Sequence, residues 1–323
     1  MYCPRLDHFR RVNSNGTYGL CGHMTNGRKF TSLQEINDWA QELKDTFDKN
    51  IWPNECVRCQ TSENNKEISI RQHSIEKHKE LKAIKDDYLI VGGTLDSYCN
   101  SACMSCSAEL STKISKLQGS VFVNDNYNMF KQIPQDRILQ LDINGGEPTF
   151  SKNYRDILNN LPSNIVSIRI NTNGSDIIKN FEEILKKEVK VNVTLSLDGT
   201  DNYHDYARWP IKWKDYRSTV ERYIRLRDTY KNLSLDFWTT LSVLNINNLD
   251  DIINYAKLKD IGHGYSALTK PECLSIYKNN WITKKYKGNL KDIGKGDSND
   301  IELDEFLTRQ ESIRNIKRIE ELK

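Results

Sequence analysis

The sequence predicts an α/β protein in which helices flank a mostly parallel sheet. Apolar, β-branched runs of strand length recur along the chain, and helical patterns separate them. Six such strands are expected after residue 86, over 88–94, 138–144, 165–171, 191–197, 234–243 and 265–269. Their composition predicts burial on both faces. Right-handed crossovers between them give a sheet that is either open or curled into a partial barrel.

Helical patterns fill the gaps between these strands. The stretches SDIIKNFEEILKK (175–187) and DYRSTVERYIRLRDTY (215–230) each place apolar residues on one helix face. A charged helix is expected over 301–321, after a loop over 278–300 that is rich in Lys, Gly and Asn. In folds of this class, functional residues lie at the carboxyl ends of the strands.

Residues 1–85 are expected to form a small, separate α+β unit. An Asn15-Gly16 turn between two strand-like runs predicts a hairpin. A helix is expected over 31–47, where Ser32 and Glu35 have capping-box spacing, and a polar connector with a helical part follows over 61–85. The predicted domains are therefore 1–85, 86–275 and 276–323.

Composition indicates a polar globular protein. The chain has 323 residues, 37% of them hydrophobic, a net charge of +3 and a mean hydropathy of −0.69. No apolar run is long enough to cross a membrane, and the N-terminus has no apolar signal segment, so a cytoplasmic location is expected. The small net charge and the lack of a basic, aromatic-rich patch argue against a nucleic-acid partner.

The chain has eight cysteines, and a protein of the reducing cytosol uses such thiols as metal ligands rather than as disulfides. Cys99, Cys103 and Cys106 follow the first of the six strands as Cys-x3-Cys-x2-Cys. Such a loop can wrap one face of a [4Fe–4S] cube and leave one iron without a protein ligand. An open position lets a substrate bind the metal. A zinc site completed from afar and three unrelated buried thiols are the alternatives.

Glycines and polar side chains follow the next three strands: Gly145, Gly146 and Glu147, then Asn173, then Ser196, Asp198 and Arg208. Glycines let the backbone approach a ligand closely, and a carboxylate suits a cationic amine. Short polar side chains suit ribose hydroxyls, and an arginine suits a carboxylate. Taken alone, each of these residues is equally typical of a turn or a helix cap.

Together these motifs resemble those of the radical S-adenosylmethionine (SAM) superfamily. The resemblance is carried by the three-cysteine motif, Gly145-Gly146-Glu147-Pro148, RINTNGS (169–175) and SLDGTDNYHDYAR (196–208), and it covers about 88–275. The last two stretches are similar to the subgroup with SPASM or twitch auxiliary-cluster domains. The N-terminal unit is similar to a twitch-type segment placed ahead of the barrel.

The resemblance implies a partial (β/α)6 TIM-like barrel, with a [4Fe–4S] cluster on Cys99, Cys103 and Cys106 and SAM chelated to its open iron. The implied SAM contacts are Gly145, Gly146 and Glu147 for the amine, Arg208 for the carboxylate, Ser196, Asp198 and Asn173 for the ribose, and backbone near Leu244 and Asn245 for the adenine. An external electron donor such as flavodoxin or ferredoxin would reduce the cluster. Cleavage of SAM would then give a 5′-deoxyadenosyl radical that abstracts hydrogen from the substrate. No other catalytic side chain is predicted.

A peptide or protein is the substrate class that the resemblance favours, because many relatives with auxiliary clusters modify peptides. The same chemistry on a sugar, nucleoside or other small metabolite is an alternative, and so is a zinc-stabilised binding protein that has lost catalysis. Three features depart from the family. Ser105 replaces an aromatic residue, the connector over 61–85 is long, and nothing after 275 matches.

Cys3, Cys21, Cys56 and Cys59 form a second set of four thiols. Zinc and an iron–sulfur cluster both accept four thiolates, so the ligand type does not separate them. Beside a radical SAM motif, an auxiliary [4Fe–4S] cluster for electron transfer or structural support is favoured over zinc. Cys273 is expected to be a buried apolar residue, and His23 is a candidate substitute ligand.

Overall fold

The computed structural model contains one eight-stranded sheet and describes residues 1–25, 27–120, 122–279 and 300–322. The strands are β1 (Phe9–Asn13), β2 (Thr17–Gly19), β3 (Leu89–Thr94), β4 (Ile138–Asn144), β5 (Ser167–Thr172), β6 (Lys190–Ser196), β7 (Leu233–Leu241) and β8 (Gly262–Ala267). Their order is β2-β1-β3-β4-β5-β6-β7-β8. The β1–β2 pair is antiparallel, and the pairs β1–β3, β3–β4, β4–β5, β6–β7 and β7–β8 are parallel. The predicted α/β class is confirmed, and the sheet is not closed.

Twelve helices lie in the described part of the chain. They are α1 (Arg5–His8), α2 (Leu33–Asp48), α3 (Val57–Asn64), α4 (Ile70–Lys82), α5 (Thr112–Leu117), α6 (Tyr127–Gln132), α7 (Lys152–Asn159), α8 (Phe181–Leu185), α9 (Asp201–Ala207), α10 (Trp213–Thr229), α11 (Leu249–Leu258) and α12 (Asp300–Arg314). Among these helices, none combines the length and the apolar character that a bilayer crossing requires.

All six strands predicted after residue 86 are present, with ends shifted by at most three residues. Burial on both faces is wrong for β5, β7 and β8. Strands β5 and β7 alternate between buried and less buried residues, and no residue of β8 is buried. Leu233, Leu235 and Phe237 are buried, whereas Asp236 is half-buried and Trp238 is exposed. Only one face of β7 packs in a core, so its other face keeps polar and aromatic side chains in contact with solvent.

Contacts between residues divide the chain into two compact units. The first comprises 1–97, 124–146 and 152–170, and the second comprises 98–123, 147–151 and 171–323. In the first unit, β1 and β2 form the hairpin predicted at Asn15-Gly16, and β1 also pairs with β3. These units do not follow the boundary expected at residue 85, and the division into 1–85, 86–275 and 276–323 stays a prediction.

Local signals set the ends of several helices. The capping box of α2 is confirmed, because the Ser32 hydroxyl and the Glu35 side chain each accept the other residue's backbone N–H. The helix expected over 175–187 is wrong in length: left-handed Asn180, at φ 58°, directly precedes the short α8. The connector over 61–85 holds the end of α3 and all of α4. The last helix ends at Arg314 rather than at 321, and 280–299 of the predicted loop lies outside the described residues.

The C-terminal helix α12 belongs to the core of the second unit. Leu303 and Leu307 are buried in one apolar cluster with Leu241, Val243 and Met104. Met104 stands between the second and third cysteines of the three-cysteine motif. This packing therefore brings α12 to the loop that carries the motif.

The pairing of β1 with β3 leaves no room for a side chain at residue 93. Gly93 has a φ of 108°, and a Cβ there would lie 2.0 Å from the carbonyl oxygen of Val12. We predict that Gly93→Ala lowers the free energy of unfolding by roughly 3 kcal/mol in urea denaturation, since strain and overlap add.

Gly119→Ala is the matched control for this prediction. Gly119 has a φ of 71°, but no described atom lies within 4 Å of a Cβ built there. Backbone strain alone should cost roughly 1 kcal/mol. Equal losses for the two variants would show that the close approach of β1 and β3 is not a constraint.

Candidate metal and cofactor site

The cysteine loop, residues 98–111, precedes α5 in the second unit. Cys103 is buried, and Cys99 and Cys106 are half-buried. The loop has no regular hydrogen-bond ladder, so its backbone polar groups need other partners. Cys99 N donates to Thr112 Oγ1 at 3.2 Å, and Cys106 N donates to Cys103 O at 3.2 Å. These bonds give the three thiols a defined arrangement on one loop.

A second backbone segment runs beside the loop and places Arg208. Ala102 N donates to Trp209 O at 2.8 Å, and Met104 N donates to Ala207 O at 2.9 Å. Residues 207 and 209 therefore bracket the second cysteine, which brings Arg208 next to Cys103. Burial raises the pKa of Cys103, and the Arg208 guanidinium offsets part of that rise.

The three thiols are close enough to influence one another. Burial raises the pKa of Cys99 and of Cys106 to about 12, and the charge of Cys103 adds to both rises. Raised pKa values favour the protonated form of Cys99 and Cys106 at neutral pH, so metal binding to these thiols would release protons. In the described part of the chain, no three His, Cys, Asp or Glu side chains are spaced to share a single metal ion.

Glu147 is a buried carboxylate that accepts four hydrogen bonds from its own unit. Oε1 accepts from the N and Oγ1 of Thr149 and from Thr172 Oγ1, and Oε2 accepts from Asn173 N, all within 3.0 Å. Burial raises the pKa of Glu147, and these four bonds offset part of the rise. Its backbone N also donates to Tyr98 O, where the cysteine loop begins. All four bonds to the carboxylate come from the protein itself, and the contact of Glu147 with an amine stays a prediction.

Gly145 and Gly146 form the turn directly before Glu147. Both have positive φ, 77° and 58° respectively. A Cβ on Gly145 would lie 2.3 Å from Thr94 Cγ2, so a larger residue does not fit there. Their role as amine contacts stays a prediction.

Asn173 supports the cysteine loop from the end of β5. Its Nδ2 donates to Asn100 Oδ1 and to Ser101 Oγ, both at 2.8 Å, and its Oδ1 accepts from Ser175 N at 2.9 Å. Asn100 Nδ2 in turn donates to Ser175 Oγ at 3.0 Å. The structure thus gives Asn173 a positioning role that the sequence did not predict, and its contact with ribose stays a prediction.

Asp198 and Arg208 form a largely buried ion pair. Arg208 Nη1 donates to Asp198 Oδ2 at 2.9 Å, and the two side chains are 11% and 5% exposed. Asp198 Oδ1 accepts from Thr240 N at 2.8 Å, so Asp198 orients Arg208. The buried Arg208 Nε has no hydrogen-bond partner among the described residues. An unpaired buried donor costs about 1–3 kcal/mol, so an acceptor at this position would be stabilising. The contact of Arg208 with a carboxylate stays a prediction.

The remaining predicted SAM contacts lie at the ends of β6 and β7. Ser196 is half-buried and stands in register with Trp238 on β7. Leu244 is buried, and Asn245 Nδ2 donates to Asp198 O at 3.2 Å and to Thr240 O at 3.0 Å. Asn245 therefore ties the two strand ends together, while its contact with adenine stays a prediction.

The N-terminal cysteines meet in the first unit. One cavity is lined by Cys3, Cys21, Cys56 and Cys59, together with His23 and Arg71. Burial raises the pKa of Cys3 to about 11 and that of Cys56 to about 12, and the neighbouring thiols add to both rises. The four thiols of the second predicted set thus line one cavity, but among the described residues no three of them are spaced to share a single metal ion. Their role as metal ligands stays a prediction.

Arg314 contacts the cysteine loop, and the sequence did not predict it. Its Nε donates to Ala102 O at 2.7 Å, and its Nη2 donates to Cys103 O at 3.1 Å. The residue lies 211 positions after Cys103, in a charged helix beyond the family resemblance, so no local pattern singles it out. Cys273, expected to be buried, is only half-buried, and it packs against the apolar cluster around α12.

Several solved structures are similar to this chain. They include anSMEcpe with bound AdoMet, with a TM-score of 0.42 and 19% identity over 63% of this chain and 55% of that one. SuiB of Streptococcus suis bound to the precursor peptide SuiA has a TM-score of 0.43 and 16% identity over 97% of this chain and 70% of that one. SuiB bound to S-adenosylmethionine has a TM-score of 0.40 and 16% identity over 96% and 69% of the respective chains.

This chain spans about half the length of anSMEcpe. No family model and no curated protein matches it. The three structures have TM-scores below 0.5, so the functional assignment rests on the motifs and on the geometry of the site.

His204, inside the SLDGTDNYHDYAR stretch, is buried beside Arg208. Its ring centroid lies 5.4 Å from that of Trp213 and 4.5 Å from that of Tyr216. Neither ring nitrogen has a hydrogen-bond partner among the described residues. Burial and, to a lesser extent, the charge of Arg208 lower the pKa of His204 to about 3.

We predict that His204 makes the protein less stable as the pH falls. The unfolded chain takes up a proton near pH 6.5, while the folded protein keeps the ring neutral down to about pH 3. Below pH 6.5 this group should therefore cost about 1.4 kcal/mol of unfolding free energy per pH unit. Urea denaturation of the wild type and of His204→Phe at pH 7, 6 and 5 measures the contribution, and parallel pH profiles would contradict it.

Proposed function

We propose that the protein is a radical SAM enzyme in which Cys99, Cys103 and Cys106 hold a [4Fe–4S] cluster. The observation that carries the proposal is the pairing of the cysteine loop with residues 207 and 209. This pairing sets the three thiols beside a guanidinium whose Nε has no hydrogen-bond partner among the residues that the structure describes. A cubic cluster takes one thiolate per iron, so its ligands need not converge on a single ion. Three thiols on one loop suit such a cluster better than zinc, which would need a fourth ligand.

The charges around the loop suit SAM. The methionyl carboxylate would accept hydrogen bonds from Arg208, whose guanidinium is held in place by Asp198. Ser196 is the last residue of β6, and its hydroxyl would bind the ribose. When bound and reduced, the cluster supplies the electron that cleaves SAM. The protein's own residues would bind and orient SAM, and the buried part of the loop, residues 101–104, would shield one side of the site from water.

A peptide or protein substrate is part of this proposal, because the resemblance to enzymes with auxiliary clusters favours it. The second unit also offers a surface for such a substrate. Trp238, which is 45% exposed, lies on the same face of β7 as Asp236 and Thr240. This face combines an aromatic ring with hydrogen-bonding groups, as peptide-binding surfaces do. A small metabolite is the alternative substrate class.

We also propose an auxiliary [4Fe–4S] cluster in the N-terminal cavity and an external donor, such as flavodoxin or ferredoxin, as the source of electrons. Support for the cluster comes from the single cavity that the four thiols line. Four protein ligands would leave no iron open, so this cluster would transfer electrons or stabilise the unit. Structural zinc is the alternative, and metal analysis of anaerobically purified protein distinguishes the two.

We predict that anaerobically reconstituted wild-type protein contains about eight irons per chain, as two four-iron clusters require, and forms 5′-deoxyadenosine under a strong reductant. Cys103→Ala should retain about four irons and form no product, because only one cluster loses a ligand. Cys59→Ala should lose the other cluster, and Cys273→Ala should lose neither. Zinc at both sites, or loss of all iron in Cys103→Ala, would contradict the assignment.

We predict that Arg208→Gln weakens SAM binding to the reconstituted protein by at least about tenfold, because a hydrogen bond to a charged group is worth about 1.5–3 kcal/mol. Equilibrium dialysis measures the affinity, and circular dichroism checks the fold. Arg208→Lys should recover part of the loss, since it keeps the charge. Lys214→Gln, on the surface of α10, is the control. Unchanged affinity in folded Arg208→Gln would remove Arg208 from the SAM site.

A further inference from the structure

We infer that Arg314 is a positioning residue that orients the cysteine loop and supplies a positive charge beside the cluster. The inference rests on the proposed function, because it concerns the cluster that Cys99, Cys103 and Cys106 would hold. It extends the candidate site to α12, which lies beyond the family resemblance. Arg314 acts through the loop and is not proposed to touch SAM or the substrate.

The Arg314 guanidinium is buried, at 3% exposure, and all three of its nitrogens donate hydrogen bonds. Nε and Nη2 donate to the carbonyl oxygens of Ala102 and Cys103 at 2.7 and 3.1 Å. Nη1 donates to Gln310 O at 3.0 Å and to Gln310 Oε1 at 2.6 Å. Because the fork is rigid and planar, it fixes the directions of two successive peptide groups of the loop. Those peptides lead into and out of the second cysteine.

The charge of Arg314 has no carboxylate partner in the part of the chain that the structure describes. All of its acceptors are neutral carbonyl or amide oxygens. Arg318, four residues further on, instead pairs with Glu311 and with Asp304. A buried cation without a counter-ion is costly unless another negative group lies nearby. A cluster on the cysteine loop, whose carbonyl oxygens Arg314 contacts, would be such a group.

The thiols of Cys103 and Cys106 lie near enough to the Arg314 guanidinium to interact with its charge. Burial lowers the pKa of Arg314, and these two thiols together with Tyr206 raise it again in part. Tyr206 donates its hydroxyl proton to Glu311 Oε1 at 2.5 Å and is therefore already paired. When three thiolates hold a cluster, Arg314 gains the negative neighbours that it lacks in the metal-free chain.

Arg314 should therefore have two separable effects. Its hydrogen bonds should slow loss of the cluster, because they hold the loop in the ligating geometry. Its charge should make reduction of the cluster easier, because reduction adds one negative charge beside it. Packing keeps the side chain in place: Leu303 and Leu307 of α12 are buried in the same cluster as Met104.

Three variants of the reconstituted full-length protein test these effects. Arg314→Gln removes the charge and keeps amide donors, whereas Arg314→Lys keeps the charge and loses the fork. Arg309→Ala, on the exposed side of the same helix, is the control. The readouts are iron per chain, the rate of iron loss to a chelator, and the midpoint potential from an EPR-monitored redox titration. The cluster of interest is the one whose EPR signal changes when SAM is added.

Arg314→Gln should lower the one-electron reduction constant of that cluster about tenfold, which corresponds to a midpoint potential about 59 mV more negative. Arg314→Lys should keep the wild-type potential but lose that cluster's iron several-fold faster. The N-terminal cluster should be unchanged in both variants and serves as the internal reference. Gln310→Met removes Gln310 Oε1, one of the two acceptors of Nη1. It should accelerate iron loss in the same direction, and it replaces Arg314→Gln if that variant fails to fold.

The inference is overturned if Arg314→Lys keeps the wild-type rate of iron loss and Arg314→Gln keeps both the wild-type potential and the wild-type rate of iron loss. If Arg314→Gln does not fold, an unchanged rate of iron loss in Arg314→Lys and in Gln310→Met overturns it. Equal changes in Arg309→Ala would also overturn it, because they would show a general effect of α12. If the wild-type protein itself takes up no iron at Cys99, Cys103 and Cys106, the proposed function fails. The two failures are therefore distinguishable.

Discussion

The buried carboxylate of Glu147 is the interaction on which the cysteine loop depends. A carboxylate out of water is stable only when several donors surround it, and here they come from Thr149, Thr172 and Asn173. The turn after β4, the end of β5 and the start of the loop must therefore form together. Asn173 also donates hydrogen bonds to Asn100 and Ser101, so its position fixes that part of the cysteine loop. One buried carboxyl group thus orders three segments that are distant in the chain.

The charges around the cysteine loop favour the binding of a negatively charged group there. Without a metal, the thiols of Cys99 and Cys106 are protonated at neutral pH. Two buried guanidinium groups lie beside Cys103, and only that of Arg208 has a carboxylate partner, Asp198, among the described residues. Metal binding would release protons and leave negative charge between two cations. Formation of the site is therefore expected to be coupled to metal binding.

Local sequence signals predicted much of the fold and less of the site. The six strands and the capping box of α2 were predictable because each is encoded by consecutive residues. The length of α8 was not, because it depends on the left-handed conformation of Asn180. The pairing of β1 with β3 joins segments about 80 residues apart, so no local pattern reveals that the N-terminal hairpin extends the main sheet.

The sequence alone determined which residue types stand at which strand ends, and the spacing of the three thiols, since both are properties of short stretches. Only the tertiary structure decided what those side chains contact. In the folded chain, Asn173 donates a hydrogen bond to the cysteine loop, and Asp198 accepts one from Arg208. Arg314 donates to the carbonyl oxygens of Ala102 and Cys103. Hydrogen-bond partners follow from strand register and from the docking of α12, which are set by packing between distant segments and have no signature in neighbouring residues.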